Sequence, residues 1–530
     1  MVKFEVTKVG TEQKGAGEFK PMVANDGPHY GDNIKLFGPN EGELKWVVRG
    51  SSSGAKARER ESVEAMLAIA REGAEAPAAP PVGVLARAGL AMRRHQRVIM
   101  GVQWVVVLFY FGLLIYPAFM PLPPEDAHIY DNLRLFAQFL FWGVWWPFVM
   151  LGTMLLGRVW CGVFCPEGTL TELASRHGLG RPIPRGIRWS GWPFVAFVCI
   201  TVYGQLVSVY QYPQAALLVL GGSSAGAVTV GLLYGRGSRV WCRYLCPANG
   251  VFGVLAKISP LHFRVNETLW KQDKRPSVAV NCAPLIDIAH MKSASACHAC
   301  GRCSGEHGAV ALALRSPARE ILAATPRQVR TEEAVTLIFG VIGFATAAFT
   351  WSSSPRFIQL KTALADWLMA HDAWALLQDN APWWLLTHYP AAHDVFTWLD
   401  GLCILAFILG GGGALGLAVW AVVWLAARVL HDPSVSWQKL SLTLVPVAGV
   451  GVFLGLSMLT LGHLKAEGVT LAWVPAVRGV LLALGMGFSA YLMLRMCLVR
   501  FSWRAVVGLA VALLPLALML RIWLNVLFGL

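Results

Sequence analysis

Most of the eleven cysteines of this chain stand in spacings that suit metal binding. The run Ala296-Cys297-His298-Ala299-Cys300-Gly301-Arg302-Cys303 has the form C-x-x-C-x-x-C. Three thiolates at that spacing reach three irons of one cubane from a single tight loop. Gly301 lets the backbone bend around such a group. Two further segments repeat each other: Arg158-Val159-Trp160-Cys161-Gly162-Val163-Phe164-Cys165-Pro166 and Arg239-Val240-Trp241-Cys242-Arg243-Tyr244-Leu245-Cys246-Pro247. Both read R-V-W-C-x-x-x-C-P. If the two copies meet, four thiolates come together. Such a set holds a second 4Fe–4S cluster, holds zinc, or works as a thiol redox site, and the spacing leaves these open.

The first group needs a fourth ligand. In two-cluster ferredoxins the fourth cysteine of each motif ligates the other cluster. Here the corresponding place after Cys303 holds His307. Upstream, Asn281-Cys282-Ala283-Pro284 has the form of a motif's last cysteine without its preceding three. The expected cluster ligands are therefore Cys282, Cys297, Cys300 and Cys303, with His307 as the alternative fourth. No catalytic residue stands out. Cys199, Cys403 and Cys497 sit alone in apolar runs and are expected to pack as small hydrophobes.

The elements that position these residues are membrane helices. The chain is 55% hydrophobic and 14% charged, against about 25% charged in soluble domains. A bilayer core takes about 20 apolar residues per helix. Nine stretches qualify, near 98–119, 135–157, 191–210, 214–234, 332–352, 400–427, 440–462, 471–495 and 504–527. The glycines from Gly410 to Gly413 are expected to kink or break one of them. The first apolar run is too late and too long for a secretory signal.

The net charge of +14 fits basic loops on one membrane face better than nucleic-acid binding. Arg93, Arg94 and Arg97 precede the first helix. The 158–190 loop and the 235–331 segment are rich in Lys and Arg, whereas the 120–134 loop carries Glu125, Asp126 and Asp131. The expected orientation puts the N-terminus and both cysteine-bearing segments in the cytoplasm. Residues 353–399, with Trp367, Trp374, Trp383, Trp384 and Trp398, are expected at the outer headgroup layer. His388, His393, His431 and His463 lie near helix ends, away from the positions that axial haem ligands would need.

The expected organisation is an N-terminal extension (1–96), a four-helix membrane domain with the paired motif (97–250), a cytoplasmic ferredoxin-like segment (251–331) and a C-terminal membrane domain of about five helices (332–530). Within the extension, Ala55–Arg71 is expected to be helical and 76–81 to be a linker. The fold class is an all-α polytopic membrane protein of about nine transmembrane helices with a small cytoplasmic Fe–S insert.

Residues 98 to 315 resemble the membrane-bound ferredoxin group that includes NapH, the C-terminal part of NosR and CcoG (FixG). The two R-V-W-C-x-x-x-C-P segments and the Cys282–Cys303 region carry the resemblance. It implies a bacterial inner-membrane electron-transfer component, not a stand-alone enzyme, that links cytoplasmic or quinone-pool electrons to a partner redox protein. Two other functions remain open: an accessory factor for maturation of a respiratory metalloenzyme, and a transporter with a redox-sensing Fe–S segment. The sequence departs from the group in lacking one three-cysteine motif and in its last five helices.

Overall fold

A computed structural model describes residues 35–37, 43–45, 83–124, 126–273 and 280–529. The chain divides into two compact units, Met1–Ala76 and Pro77–Leu530. In the first, strands β1 (Lys35–Phe37) and β2 (Glu43–Lys45) pair antiparallel. The helix expected over Ala55–Arg71 and the 76–81 linker lie outside the described residues.

The second unit is helical. Among the described residues, eight helices are long and apolar enough to cross a membrane. After α1 (Val84–Arg94) come the spans α2 (Gln96–Phe119) and α3 (Leu133–Leu156). The motif helix α4 (Pro166–Arg176) follows, then the shorter apolar helix α5 (Trp192–Leu206) and the span α6 (Pro213–Tyr234). A second motif helix, α7 (Pro247–Leu255), leads to strand β3 (Leu261–Val265). Strand β4 (Val310–Leu314) then precedes α8 (Thr331–Ser353), α9 (Trp398–Leu430), α10 (Trp437–Ala466), α11 (Val474–Cys497) and α12 (Trp503–Phe528). The chain is thus an all-α polytopic membrane protein. Each of the nine expected apolar stretches coincides with one helix, and only α5, at 15 residues, falls short of a full span.

The most enclosed span is α10, with 72% of its apolar window buried against 28% for α2. It packs on α3, α11 and α8, and so ties the last five helices to the motif-bearing half. Small residues make this approach close. A Cβ at Gly451 would lie 2.9 Å from the Trp523 ring, and one at Gly455 would lie 2.6 Å from Phe349. Lipid supplies no hydrophobic drive between helices, so close packing through small residues holds spans together.

Two expectations need correction. The Gly410–Gly413 run neither breaks nor ends α9, which continues to Leu430. Its use is approach: a Cβ on Gly343 of α8 would lie 2.5 Å from the Gly412 carbonyl oxygen. Cys403 and Cys497 are buried as expected, but Cys199 is exposed on α5.

The spans α3, α6, α8 and α9 all contain π-helical stretches, Thr336–Ala345 in α8 and Ala406–Gly411 in α9. In α3 and α6 the stretches, Phe139–Trp145 and Leu217–Gly221, lie upstream of the cysteine motifs. Wide turns of this kind recur near functional sites.

Beyond α7 the chain forms the antiparallel pair β3–β4, with Phe263 opposite Leu312. The cysteine loop hangs between these strands. Helix α1 covers the pair, placing Gly89 against Leu312 and Phe263, while Arg93 bonds to the Ser304 carbonyl (2.8 Å) and Glu306 (2.9 Å).

Candidate iron–sulfur sites

Each copy of the repeated motif is a helix end, a tight turn and a new helix. After α3 the chain turns at Gly157, whose φ of 70° suits glycine. Trp160–Phe164 forms one wide turn, and Cys165 is extended. Pro166 then opens α4 at its first position, where a missing N–H costs nothing. The Cys165 Sγ accepts from the Gly168 N–H at 3.4 Å, so the thiol also caps the helix. In the second copy the turn is the short helix Val240–Tyr244, Cys246 leaves the helical conformation (φ −57°, ψ 122°), and Pro247 opens α7.

The two copies do meet. Cys161, Cys165, Cys242 and Cys246 line one cavity, together with Trp160, Glu167 and Asn249. From there the cavity continues through apolar and aromatic walls, including Trp145 and Tyr110, to Val209 and Tyr210.

The other thiols form a separate group. Cys282, Cys297, Cys300 and Cys303 line a small cavity walled by Phe263, Ile286, Ile288 and Met291. The loop is shaped by left-handed residues: Ala299 (φ 48°), Gly301 (φ 75°) and Gly305 (φ 75°). Gly301 is required twice over, since a Cβ there would also lie 2.5 Å from the Met92 Cβ. The Cys297 Sγ accepts from the Ala299 N–H at 3.4 Å, and the Cys300 carbonyl takes a bond of 3.0 Å from Gln96.

His307 does not line this cavity. It sits in a left-handed turn (φ 50°), with its ring on Trp270 at 4.4 Å and its Nδ1 3.2 Å from Asp273.

The donors of both groups are thiols, which hold iron–sulfur clusters and zinc alike. Among the described residues, no group of three or more His, Cys, Asp or Glu is arranged to hold one metal ion. Burial pushes the Cys242 thiol up to about 12, despite Arg239 and Arg158, and pushes Cys297 up to about 12. Burial likewise raises Cys165, Cys246, Cys282 and Cys303. Thiols so buried stay protonated unless a metal displaces the protons.

The two thiol groups touch. Gly162, between Cys161 and Cys165, lies so close to the other loop that a Cβ would sit 2.1 Å from the His298 carbonyl oxygen and 2.9 Å from the Cys300 Cα. The arginines that open the two motif copies occupy this junction. Arg158 donates to the Ser295 carbonyl (2.6 Å) and Asn249 (2.7 Å), and approaches the Cys161 Sγ at 3.7 Å. Arg239 is fully buried; it donates to the Cys161 carbonyl (2.6 Å) and to Glu172 (2.9 Å). Glu172 also takes both bonds from Arg302 (2.8 and 2.9 Å). Burial opposes charge on Glu172, but Arg239 and Arg302 hold its carboxyl below the ordinary value. Burial, reinforced by Arg158 and Arg239, holds His298 well below the usual imidazole value.

Spacing alone did not single out Gly162, Glu172, His298, Arg158 or Arg239. The one available signal was the shared Arg-Val-Trp preceding each cysteine pair. Trp241 uses its indole N–H to bind Glu167 of the other copy at 3.1 Å, while Trp160 packs edge-on to Trp145 at 5.0 Å.

Comparison with known proteins bears on the two motif copies. Residues 138–185 and 218–266 match the model of a 4Fe-4S binding domain. The match falls on the two motif copies and ends before Cys282. Over 231 residues the chain is 26% identical to the putative electron transport protein YccM of Escherichia coli (strain K12), covering 38% of this chain and 64% of that protein. Residues 1–65 match a family described as Fe2+ transport protein. Over 48 residues the chain is 52% identical to UPF0423 proteins of Brucella abortus (strain 2308) and Brucella suis biovar 1 (strain 1330), covering 9% of this chain and 26% of each of those. No solved structure matches the chain.

Proposed function

We propose that this protein is a membrane-bound iron–sulfur electron carrier with two adjacent four-cysteine sites. Cys282, Cys297, Cys300 and Cys303 hold one 4Fe–4S cluster, and Cys161, Cys165, Cys242 and Cys246 hold the second. The observation that carries this reading is the backbone contact of the two thiol loops at Gly162. It keeps the two sites within one rigid junction, as a relay requires. A 4Fe–4S cluster, when bound, stores and releases one electron at a time. The chain's own part is to exclude water, supply thiolates and offset their charge with Arg158, Arg239 and Arg302.

On this reading residues 97–250 form the membrane domain of the paired motif and 251–331 the ferredoxin-like segment. Residues 332–530 form a C-terminal membrane domain, and 1–96 an extension. The basic loops put the N-terminus and both sites on the cytoplasmic side of a bacterial inner membrane. Electrons enter from a soluble donor at the exposed loop and leave to a partner redox protein, as in the NapH, NosR and CcoG group. The apolar cavity running from Cys161 and Glu167 to Tyr210 suits a quinone whose head lies near the thiols.

Iron and acid-labile sulfide per chain, with EPR, test the reading. About eight irons and two reducible signals are expected, from two four-iron clusters. About four irons would remove one site, and none would overturn the proposal.

The match of residues 1–65 to an Fe2+ transport family favours a second reading. In it the electrons serve iron handling by a neighbouring system, which makes the protein an accessory component or part of a redox-linked transporter. Cellular uptake of radioactive iron decides: a deletion strain with unchanged uptake under iron limitation removes this reading.

A further inference from the structure

His298 lines both thiol cavities and is 2% exposed. Its Nε2 lies 3.2 Å from the Arg158 Nη2. Arginine is only a donor, so this Nε2 accepts. In a neutral imidazole the hydrogen then resides on Nδ1. That Nδ1 is buried and has no hydrogen-bond partner in the protein. The Nε of Arg158, which lines the paired-motif cavity, is likewise buried without a partner. Buried donors are rarely left unpaired in folded proteins. Two such orphans at the seam between two four-thiol sites mark acceptors that the polypeptide itself does not supply.

We propose that the Nδ1–H of His298 donates a hydrogen bond to a sulfur of the iron–sulfur group bound beside it, and that His298 is thereby a positioning residue that separates the potentials of the two sites. The inference rests on the two-cluster reading above. Arg158 holds the ring by its Nε2 and fixes the tautomer, and the Gly162 contact with the His298 carbonyl fixes the backbone. Hydrogen bonds to cluster sulfur raise the reduction potential, because the reduced cluster is more negative and is the better acceptor. The cluster that receives this bond is thereby raised in potential, and the other is not. The rival acceptor is solvent in the polar pocket that His298 also borders with Asn249, Ser295 and Glu333.

The test uses the full chain in detergent or nanodiscs, first assayed for iron and sulfide. A wild-type protein without two clusters defeats the underlying reading rather than this inference. With both clusters present, pulsed EPR of reduced protein carrying 15N-histidine is expected to show imidazole nitrogen coupled to one cluster, lost in His298→Asn. EPR-monitored titration of His298→Leu is expected to show one midpoint shifted downward and the other nearly unmoved. His298→Asn places an amide N–H near the Nδ1 position and is expected to recover most of the shift. Absence of nitrogen coupling in the wild type overturns the proposal, as does a Leu variant that keeps its iron and both midpoints. If the Leu variant fails to assemble, the nitrogen coupling and the Asn midpoints decide by themselves.

Discussion

The two four-cysteine sites are built by opposite means. Around Cys297, Cys300 and Cys303 the backbone is a loop held open by left-handed residues and covered by helix α1. Around Cys161, Cys165, Cys242 and Cys246 the backbone is two helix ends, each restarted by a proline. The loop site closes over a small cavity, whereas the helix-end site opens into a long apolar one. The difference teaches how each is kept in place. A loop site depends on tertiary contacts along its whole length, whereas a helix-end site inherits rigidity from the spans. The junction at Gly162 lends the loop some of that rigidity.

The largest test of this contrast removes ligands. Cys297→Ser is expected to lose about four irons and Cys242→Ser the other four, with the double variant losing both sets. Loss of all iron in either single variant would mean that the sites assemble as one unit. Next comes Gly162→Ala, whose Cβ would fall 2.1 Å from a backbone oxygen, where nothing flexible can yield. Iron is expected to fall at both sites. Gly152→Ala, with nothing within 4 Å, is the matched control and should keep full iron content.

The ion pairs at the junction come third. Glu172→Gln leaves Arg239, fully buried, without its carboxylate. Breaking a buried pair from one side costs about 3–5 kcal/mol. A lower melting temperature of the solubilised protein is expected, with Arg176→Gln, an exposed partner at 3.6 Å, nearly silent. A similar drop for both would show that the pair is not what secures the junction.

The smallest effect concerns pH and the loop site alone. Glu320 holds the loop through Ser293 (2.6 Å) and the Ala294 N–H (3.1 Å), and pairs with Lys257 and Arg315. Burial opposes its charge, yet Lys257 and Arg315 hold its carboxyl below the ordinary value. A depressed carboxyl stabilises the fold above its unfolded value and ceases to do so as pH falls through the folded one. Proteolysis of the 261–314 region should therefore quicken on acidification below that range, and Glu320→Gln should flatten the dependence. An unchanged acid profile in that variant would assign the effect elsewhere.

Much of the fold was legible in the sequence. The apolar runs located every span because desolvating a backbone requires an unbroken helix of bilayer length, which is a local property. The Gly410–Gly413 run does not break its helix, because glycine also permits close helix approach, and the neighbour at Gly343 uses it so. The exposure of Cys199 was not legible, since an apolar run does not reveal which of its faces meets protein.

The sequence by itself determined where the apolar helices lie, the thiol groupings within each motif and the glycine at Gly301. These follow from spacing along a few residues. Only the tertiary structure decided that Cys282 shares a cavity with the Cys297 loop, that His307 turns away to Trp270, and that Arg158 and Arg239 cross between the sites. Each of these joins residues distant in the chain, where the partners are set by packing of whole helices and not by local preference.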